Sequence, residues 1–550
     1  MVAAFAVSSE PARPAPASPH ARLAAHILGV GLVTAVLVAL PAAPSDLDRH
    51  QLPKETVTHL ATLLAVLIAR PFPPRGLRPG IALGLILLAG GGLLSTFAAT
   101  DGWLAARALA LTLTGIAAFI TARQVTHDGA GRQLLGWCVV AAIVGAITGL
   151  AQAYGATSVF FAITRSPGGT FGNRNFLAHF AALAVPLTTA AALFAPRRAV
   201  AVVAASGGAL LTAAIFLSRS RDAWIGVSVG MAVLALAILA VRRRQYLAVS
   251  ARRVTLVVAT AAIAVILAVA LPNHLAWRSP SPYADTLVEL TNTQRGSGHG
   301  RVLQYINSLR LAVRHPLLGV GPANWPIRYG DVALPTDPSW VFSDPIPLNP
   351  WPSSDWMALI SERGLVGLLG VLLVGIGVVW RGVRALGEGA RPAVTAAVLL
   401  ALAATAAVEG SFDAVLLLPA PLLLVALASG SLLDVVDHVG PSEASHAVSP
   451  ALWLWRPGVP LLLAAITLRS VLQTSAYLVA GNGHSTARLE AAARLDPTSY
   501  AIRISLADRL PCPAARPHAA AALKMAPDWP SARSAARRCQ TLPHSVQLPS

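Results

Sequence analysis

Charged residues are scarce in this sequence, making up 12% of its 550 residues. Soluble globular domains carry about 25% charged residues. Hydrophobic residues make up 55% of the chain and lie in long blocks. This composition excludes a large soluble enzyme and predicts a protein embedded in a membrane.

Lysine is almost absent, because only Lys54 and Lys524 occur. Arginine therefore carries nearly all of the positive charge behind the formal net charge of +18. The arginines cluster between apolar blocks, as membrane topology requires. No soluble basic domain is evident that could hold a nucleic acid, so we expect no nucleic-acid partner.

Cysteine is also rare, with three residues in the chain. Cys138 lies inside an apolar block, whereas Cys512 and Cys539 lie in the polar C-terminal tail. Structural zinc needs four ligands, so these cysteines predict no metal site, and we expect no cofactor. A disulfide between Cys512 and Cys539 requires the tail to face an oxidising compartment.

Apolar blocks dominate what is present. Helices are the only element that fits them, because each backbone polar group must be satisfied within the lipid. We therefore predict an all-α fold, a polytopic integral membrane protein of about 12–13 transmembrane helices. The blocks cover residues 23–42, 56–69, 80–99, 103–122, 134–154, 175–194, 199–217, 223–241, 254–271, 364–380, 392–408, 412–433 and 457–480.

The arginines between the blocks predict the orientation. With a cytoplasmic N-terminus, the positive-inside rule is satisfied over twelve spans, since the outside linkers hold little positive charge. This orientation places the long loop 272–355 and the tail outside. The arginines on the cytoplasmic side are Arg70, Arg75, Arg78, Arg123, Arg132, Arg197, Arg198, Arg242, Arg243, Arg244, Arg252, Arg253, Arg381, Arg384 and Arg391.

The chain divides into five regions by composition. Helical periodicity predicts an amphipathic helix from Arg301 to His315 in the long loop, and short helices at 487–495, 500–510, 517–525 and 532–539. Pro497 and Pro527 punctuate the tail at close to the ~34-residue tetratricopeptide period, so the tail resembles a degenerate tetratricopeptide pair. The regions are a disordered cytoplasmic N-terminus (1–22), the main transmembrane domain (23–433), a linker with the last transmembrane helix (434–482), the helical tail (483–540) and a disordered end (541–550).

Several arginines break the positive-inside rule on the outer side. The simplest explanation is that these long side chains snorkel to the membrane surface at the ends of the spans. As a group they favour binding of an anionic lipid-linked substrate at the outer face, because guanidinium matches phosphate oxygens. They are Arg165, Arg174, Arg219 and Arg221 near the bilayer, and Arg295, Arg301, Arg310 and Arg314 in the loop.

Four segments carry a family resemblance. They are Gly169–Ala178 (GTFGNRNFLA), Ser218–Gly226 (SRSRDAWIG), Arg301 with His315–Asn324 (HPLLGVGPAN), and Ser353–Gly367 (SSDWMALISERGLVG). In this order and on this topology they resemble the signature elements of the O-antigen ligase and O-antigen polymerase superfamily. The resemblance covers residues 23–433, and a C-terminal repeat tail recurs in members of the superfamily.

The resemblance implies a metal-independent glycosyl transfer. Members take a glycan from undecaprenyl pyrophosphate at the outer face of the cytoplasmic membrane. They move it to a lipid A core sugar, a protein or a growing polysaccharide. Arginines hold the pyrophosphate in this family, and by the match Arg221 and Arg301 take that role, with Arg219 and Arg174 beside them.

One position departs from the family pattern. The histidine thought to activate the acceptor hydroxyl is replaced by Ser353, and serine needs its own activator near neutral pH. Asp355, at the motif, and His299, two residues before Arg301, are the substitutes we consider, alongside Ser353 itself. His315 belongs to the His-Pro element and is interpreted as structural.

Two other function classes stay open. The first is a catalytically impaired family member that binds lipid-linked glycan, or a protein partner through the tail. The second is a transporter, which we disfavour because the apolar blocks lack ion pairs apart from Arg107 and Arg469. Membrane lipid is a partner in every case.

Overall fold

The computed structural model describes residues 17–70, 77–243, 248–289, 296–334, 337, 350–437 and 452–539. Within these residues every regular element is a helix and no strand occurs, which confirms the all-α prediction. Several predictions lie wholly or partly outside the described residues. They concern most of segment 1–22, segment 541–550, loop residues 338–349, linker residues 438–451, and Arg75, Arg244 and Arg295.

Twenty α-helices occur in the described part of the chain. Nine precede the long loop: α1 (Pro19–Leu37), α2 (Asp46–Ala69), α3 (Pro79–Thr96), α4 (Gly102–His127), α5 (Gly131–Ala153), α6 (Arg174–Phe194), α7 (Arg198–Ser218), α8 (Arg221–Arg243) and α9 (Ala251–Ala270). The loop contains α10 (Pro282–Val288), α11 (Gly296–Arg314) and α12 (Trp325–Arg328). Four long helices follow: α13 (Asp355–Ala385), α14 (Ala390–Phe412), α15 (Pro419–Asp437) and α16 (Leu452–Ala480). The tail contains α17 (Thr486–Leu495), α18 (Tyr500–Arg509), α19 (Cys512–Met525) and α20 (Pro530–Arg538).

Thirteen of the described helices, α1–α9 and α13–α16, are long and apolar enough to cross a membrane. The protein is therefore a multi-pass membrane protein, as predicted. Helix α6 lies at the centre, buried along almost its whole length between α5, α7, α8 and α14. The buried faces are rich in alanine and glycine, so that helix backbones approach closely, as is usual in membrane helix packing.

Helix α2 is longer than the apolar block 56–69 indicates, because it begins at Asp46 with two polar turns that are buried. Within them, the ammonium group of Lys54 donates hydrogen bonds to the carbonyls of Val36 (2.9 Å) and Val38 (2.8 Å). These carbonyls belong to the end of α1, where cations stabilise unsatisfied C=O groups. The polar turns interrupt the hydropathy pattern, which is why the sequence block starts late.

Arg107, one of the two arginines excepted from the expectation that the apolar blocks lack ion pairs, has acidic partners. Arg107 of α4 donates to Asp48 (2.6 Å) and Glu55 (2.7 Å) of α2, and all three side chains are largely buried. The pairing arises because the polar turns of α2 pack beside α4. A buried arginine needs such partners, since the desolvation of an unpaired charge is costly.

Backbone hydrogen bonds connect the loop to the first turns of α13. The amide of Val320 donates to the carbonyl of Ser361 (2.9 Å), and the amide of Gly321 donates to that of Glu362 (3.0 Å). Helix α13 kinks at Gly364, whose φ is 61°, and a Cβ there would lie 2.3 Å from a loop carbonyl oxygen. Only glycine fits this crossing. The amphipathic helix predicted in the loop is present as α11.

The tail forms the four predicted helices and packs on the loop and on α16. Its third helix begins at Cys512 instead of Pro517. Pro513 fits the first turn of the longer helix, while Pro517 sacrifices a single backbone hydrogen bond. The cysteines are free, and the Cys512 thiol donates to the backbone carbonyl of Arg538 at 3.6 Å. The tetratricopeptide interpretation and the disulfide stay predictions.

Candidate functional site

The junction of α7 and α8 presents two arginines on a tight turn. Helix α7 ends at Ser218 and α8 begins at Arg221, so two residues make the turn, and Arg219 adopts a left-handed conformation with φ of 56°. The Arg219 guanidinium donates through Nε to the Thr286 hydroxyl at 2.8 Å. Arg221 donates through Nη1 to the backbone carbonyl of Glu289 at 2.6 Å. Both arginines are thus held by the loop.

Arg174, at the start of α6, joins this group through an aromatic ring. The guanidinium carbons of Arg174 and Arg219 lie 4.9 Å and 4.8 Å from the centre of the Trp277 ring. Each is within cation–π range. The loop tryptophan therefore holds two like charges near each other.

Arg301 reaches the same place from α11. Its Nη1 and Nη2 atoms donate to the two carboxylate oxygens of Asp222 at 2.9 Å and 2.6 Å. Asp222 follows Arg221 in the chain, so the pair fixes Arg301 at the start of α8. Burial alone lowers the pKa of Arg301, but the charges of Asp222 and Asp413 raise it above its ordinary value. The pair uses two of five guanidinium donors and leaves the others for a ligand.

These arginines line one large cavity of about 970 Å³. One side of it, which we call the cationic wall, is formed by Arg165, Arg174, Arg219, Arg221 and Arg301. Other elements contribute a second set of lining residues, which we call the tail wall: Asp101, Trp103, Tyr477, Tyr500 and Trp529. The structure thus brings together all four arginines that the sequence predicts for pyrophosphate.

The three predicted catalytic residues have different positions. Ser353 lines the cavity, and its backbone is fixed by Gln304 (3.0 Å) and by the Tyr305 hydroxyl (3.0 Å). Asp355 is buried, and its oxygens accept hydrogen bonds from the amides of Val415 (3.0 Å) and Leu416 (2.9 Å). The His299 side chain is exposed on α11. Among the described residues, neither Asp355 nor His299 lines the cavity.

Sequence reasoning missed a buried acidic and histidine cluster. Asp413 lines the cavity just after α14, and its Oδ2 accepts from the Asn175 amide at 3.1 Å. His179 of α6 lies with Nε2 3.4 Å from Asp413 Oδ2 and with Nδ1 3.4 Å from Glu409 Oε1. Glu409, His179 and Asp413 thus form a chain of contacts that ends at the cavity. The available signal was ionisable residues inside apolar blocks, which are usually functional.

The same cluster offers ligand atoms suited to a cation. One atom each of His179, Asp222 and Asp413 lies within 4.8 Å of the others. However, both Asp222 oxygens already bind the Arg301 guanidinium, so a metal ion there would have to compete with a fixed positive charge. We therefore describe this group as an ion-paired cluster.

One known protein family is similar to the middle of the chain. The sequence pattern of a family described as O-antigen ligase matches residues 206–372. We call residues 206–372 the O-antigen ligase domain, after the family to which they are similar. This match confirms the resemblance to the O-antigen ligase and polymerase superfamily. No curated protein sequence matches the chain.

The O-antigen ligase domain contains part of the site. Arg219, Arg221, Asp222 and Arg301 fall inside residues 206–372, as does Ser353. Arg174, Asp413 and the whole tail wall fall outside it. The family indicates a glycosyl-transfer enzyme acting in polysaccharide biosynthesis, with lipid-linked glycan and polysaccharide as substrates in general.

Proposed function

We propose that this protein transfers a glycan from undecaprenyl pyrophosphate to an acceptor hydroxyl at the outer face of the bacterial cytoplasmic (inner) membrane. The acceptor belongs to a lipid A core sugar, a protein or a growing polysaccharide. The observation that carries the proposal is the convergence of Arg174, Arg219, Arg221 and Arg301 on one cavity in a chain with an O-antigen ligase domain.

The arginines would stabilise the leaving group. When the bond between the anomeric carbon and the pyrophosphate oxygen breaks, its electron pair stays on the pyrophosphate and negative charge grows there. Fixed guanidinium groups neutralise this charge without reorganisation in a cavity that is partly shielded from water. Arg301 is held rigidly by Asp222, and Arg174 and Arg219 are held by Trp277.

The acceptor oxygen forms the new bond to the anomeric carbon, and its proton must pass to a base. We propose Asp413 for this role, because it lines the cavity and contacts His179, which contacts Glu409. Burial alone raises the pKa of Asp413, but its contacts with His179 and the charge of Arg301 lower it below its ordinary value, so the carboxylate is ionised.

The residues predicted from the family motif are the competing candidates. Ser353 shares the cavity but needs a base of its own. Asp355 has both oxygens bound to backbone amides, a contact that stabilises the connection between α14 and α15. His299 would need α11 to move. Variants at these three positions therefore form the comparison set for Asp413.

The pyrophosphate role is tested by complementing a gene deletion with Arg221→Ala and Arg301→Ala, and with Lys at each position. Lysine keeps the charge but loses the planar fork. We expect surface polysaccharide to be lost with alanine and reduced with lysine, and purified alanine variants to bind less lipid-linked glycan. The control is Arg252→Ala, an exposed arginine on α9.

Each result has a clear meaning. Wild-type levels of polysaccharide from both alanine variants would contradict the pyrophosphate site. If the wild-type protein binds lipid-linked glycan but transfers none in purified form, the non-catalytic alternative holds. Movement of the intact lipid-linked glycan across sealed vesicles without transfer would favour a transporter.

A further inference from the structure

The tail wall has a composition unlike that of the cationic wall. It joins a carboxylate and an indole at the start of α4, Asp101 and Trp103, with Tyr477 from α16 and with Tyr500 and Trp529 from the tail. Aromatic faces combined with a few fixed polar groups are typical of small-molecule sites. The cavity volume of about 970 Å³ leaves room for sugar units beyond the donor.

The tail residues are a fixed part of this wall. The Trp103 indole donates to Asp496 of the tail at 2.6 Å, and the Trp529 indole donates to the carbonyl of Pro326 in the loop at 3.2 Å. Trp529 also packs edge-on against Tyr500, with ring centres 4.8 Å apart. Loop and tail share one hydrophobic cluster around these contacts. The aromatic rings therefore reach the cavity as part of a docked tail.

Asp101 supplies an unsatisfied hydrogen-bond acceptor in this wall. Its Oδ1 caps α4 by accepting from the amides of Trp103 (2.8 Å) and Leu104 (3.2 Å). The residue is only 1% exposed, and its buried Oδ2 has no hydrogen-bond partner among the described residues. A buried carboxylate oxygen without a partner is unfavourable. A ligand hydroxyl would relieve that cost.

The position of Asp101 is fixed by the loop. Asn324, the last residue of the His-Pro element, accepts from the Asp101 amide (2.7 Å) and donates to its carbonyl (3.1 Å). The carboxylate is therefore held in place from both sides of its own backbone. Such preorganisation is expected of a binding group.

We propose that the tail wall is a subsite for the acceptor and that the acceptor is an uncharged saccharide. Asp101 accepts a hydrogen bond from a sugar hydroxyl, and Tyr500, the partly exposed ring of this wall, contacts the apolar face of the sugar. Arg107 lies over the Trp103 ring but is paired with Asp48 and Glu55, so the unsatisfied Asp101 oxygen favours a hydroxyl donor over a phosphate. The inference rests on the proposed function, since it assigns the acceptor half of that reaction.

The decisive variant is Asp101→Asn, because asparagine caps helices as well as aspartate does while it lacks the charge. A second variant, Tyr500→Leu, keeps an apolar side chain but removes the aromatic face. The control is Arg516→Ala on the exposed surface of α19. Thermal unfolding of each full-length protein checks that the variants are folded.

Two measurements are made on full-length protein in lipid nanodiscs. The first is transfer, with donor lipid and unmodified acceptor both extracted from a deletion strain, titrated separately. We expect Asp101→Asn to raise the acceptor concentration for half-maximal transfer by about tenfold, the usual scale for one charged hydrogen bond, without changing that for the donor. The second is saturation-transfer NMR of the saccharide released from that acceptor, recorded without donor.

The outcomes separate this inference from the proposed function. If Asp101→Asn gives the same donor and acceptor titration curves as the wild type, or the same saccharide NMR signal, the subsite is wrong. The proposed glycan transfer is unaffected by that result. Absence of transfer by the wild type, with saccharide binding that Asp101→Asn abolishes, overturns the transfer and keeps the subsite. A donor defect in Asp101→Asn equal to its acceptor defect also contradicts the inference.

Discussion

The two walls of the cavity differ in charge, in origin and in their relation to the O-antigen ligase domain. The cationic wall is built from helix ends and the loop, and three of its five arginines lie within the matched residues. The tail wall lies entirely outside that match and combines acidic and aromatic residues from α4, α16 and the tail. The family match thus covers mainly the wall suited to the leaving group. The wall suited to acceptor choice is supplied by the remainder of the chain.

The comparison requires both walls to face the same side of the membrane. We expect a reporter active only in the cytoplasm to work when fused at residue 248 and to fail at residue 330, because arginines sort to one side and the loop lies on the other. Since the tail packs on the loop, a fusion at residue 482 should fail as well. This effect is all or none. Reporter activity from the fusion at residue 330, or no activity from the fusion at residue 248, would contradict the predicted orientation.

The second prediction concerns Asp413, where the base is proposed to act. Asp413→Asn preserves shape and the contact with Asn175 but cannot take a proton. We expect transfer at saturating substrate to fall by about 10²–10⁴-fold, the usual contribution of general base catalysis, with donor binding unchanged. The measurement is single-turnover transfer by purified protein.

The matched variants for this prediction are Ser353→Ala, Asp355→Asn and His299→Ala, with Asp285→Asn beside them. Asp285 is a partly exposed loop carboxylate that serves as the control. A larger loss in Ser353→Ala or His299→Ala than in Asp413→Asn would return the base to the family motif. If donor binding falls as much as transfer does in one of these variants, that variant has a general structural defect.

The smallest expected effect is a pH dependence confined to the tail wall. Burial raises the pKa of Asp101 to about 6, opposed by its two backbone hydrogen bonds and by Arg469 of α16 and reinforced by Asp496 of the tail. The ionised form, present above that pKa, is the better acceptor of hydroxyl hydrogen bonds. Lowering the pH from about 7.5 to about 5.5 should therefore raise the acceptor requirement several-fold.

Asp101→Asn provides the check on this titration. The variant should show a flat acceptor requirement over the same pH range, and the donor requirement of the wild type should also stay flat. If the variant retains the pH profile of the wild type, another group titrates and the assignment to Asp101 is wrong.

The sequence predicts the helical class, the loop and the arginines well. Long apolar blocks leave helices as the only solution in lipid, and arginines at span ends are visible exceptions to a simple charge rule. The polar start of α2 escapes such reasoning, because the partners of Lys54 and Glu55 are distant in sequence. His179 and Glu409 were equally hidden, since 230 positions separate residues that three-dimensional packing brings within 3.4 Å.

The docking of Trp529 on Pro326 has a consequence for how the molecule is made. Ribosomes deliver the transmembrane helices and the loop before the tail, so the aromatic surface of the loop is left uncovered during synthesis. The cavity gains its final wall only when the last helices leave the ribosome and dock. Completion of the chain is thereby coupled to completion of the site, and a copy that ends before the tail would keep the arginines yet lack the rings of Tyr500 and Trp529.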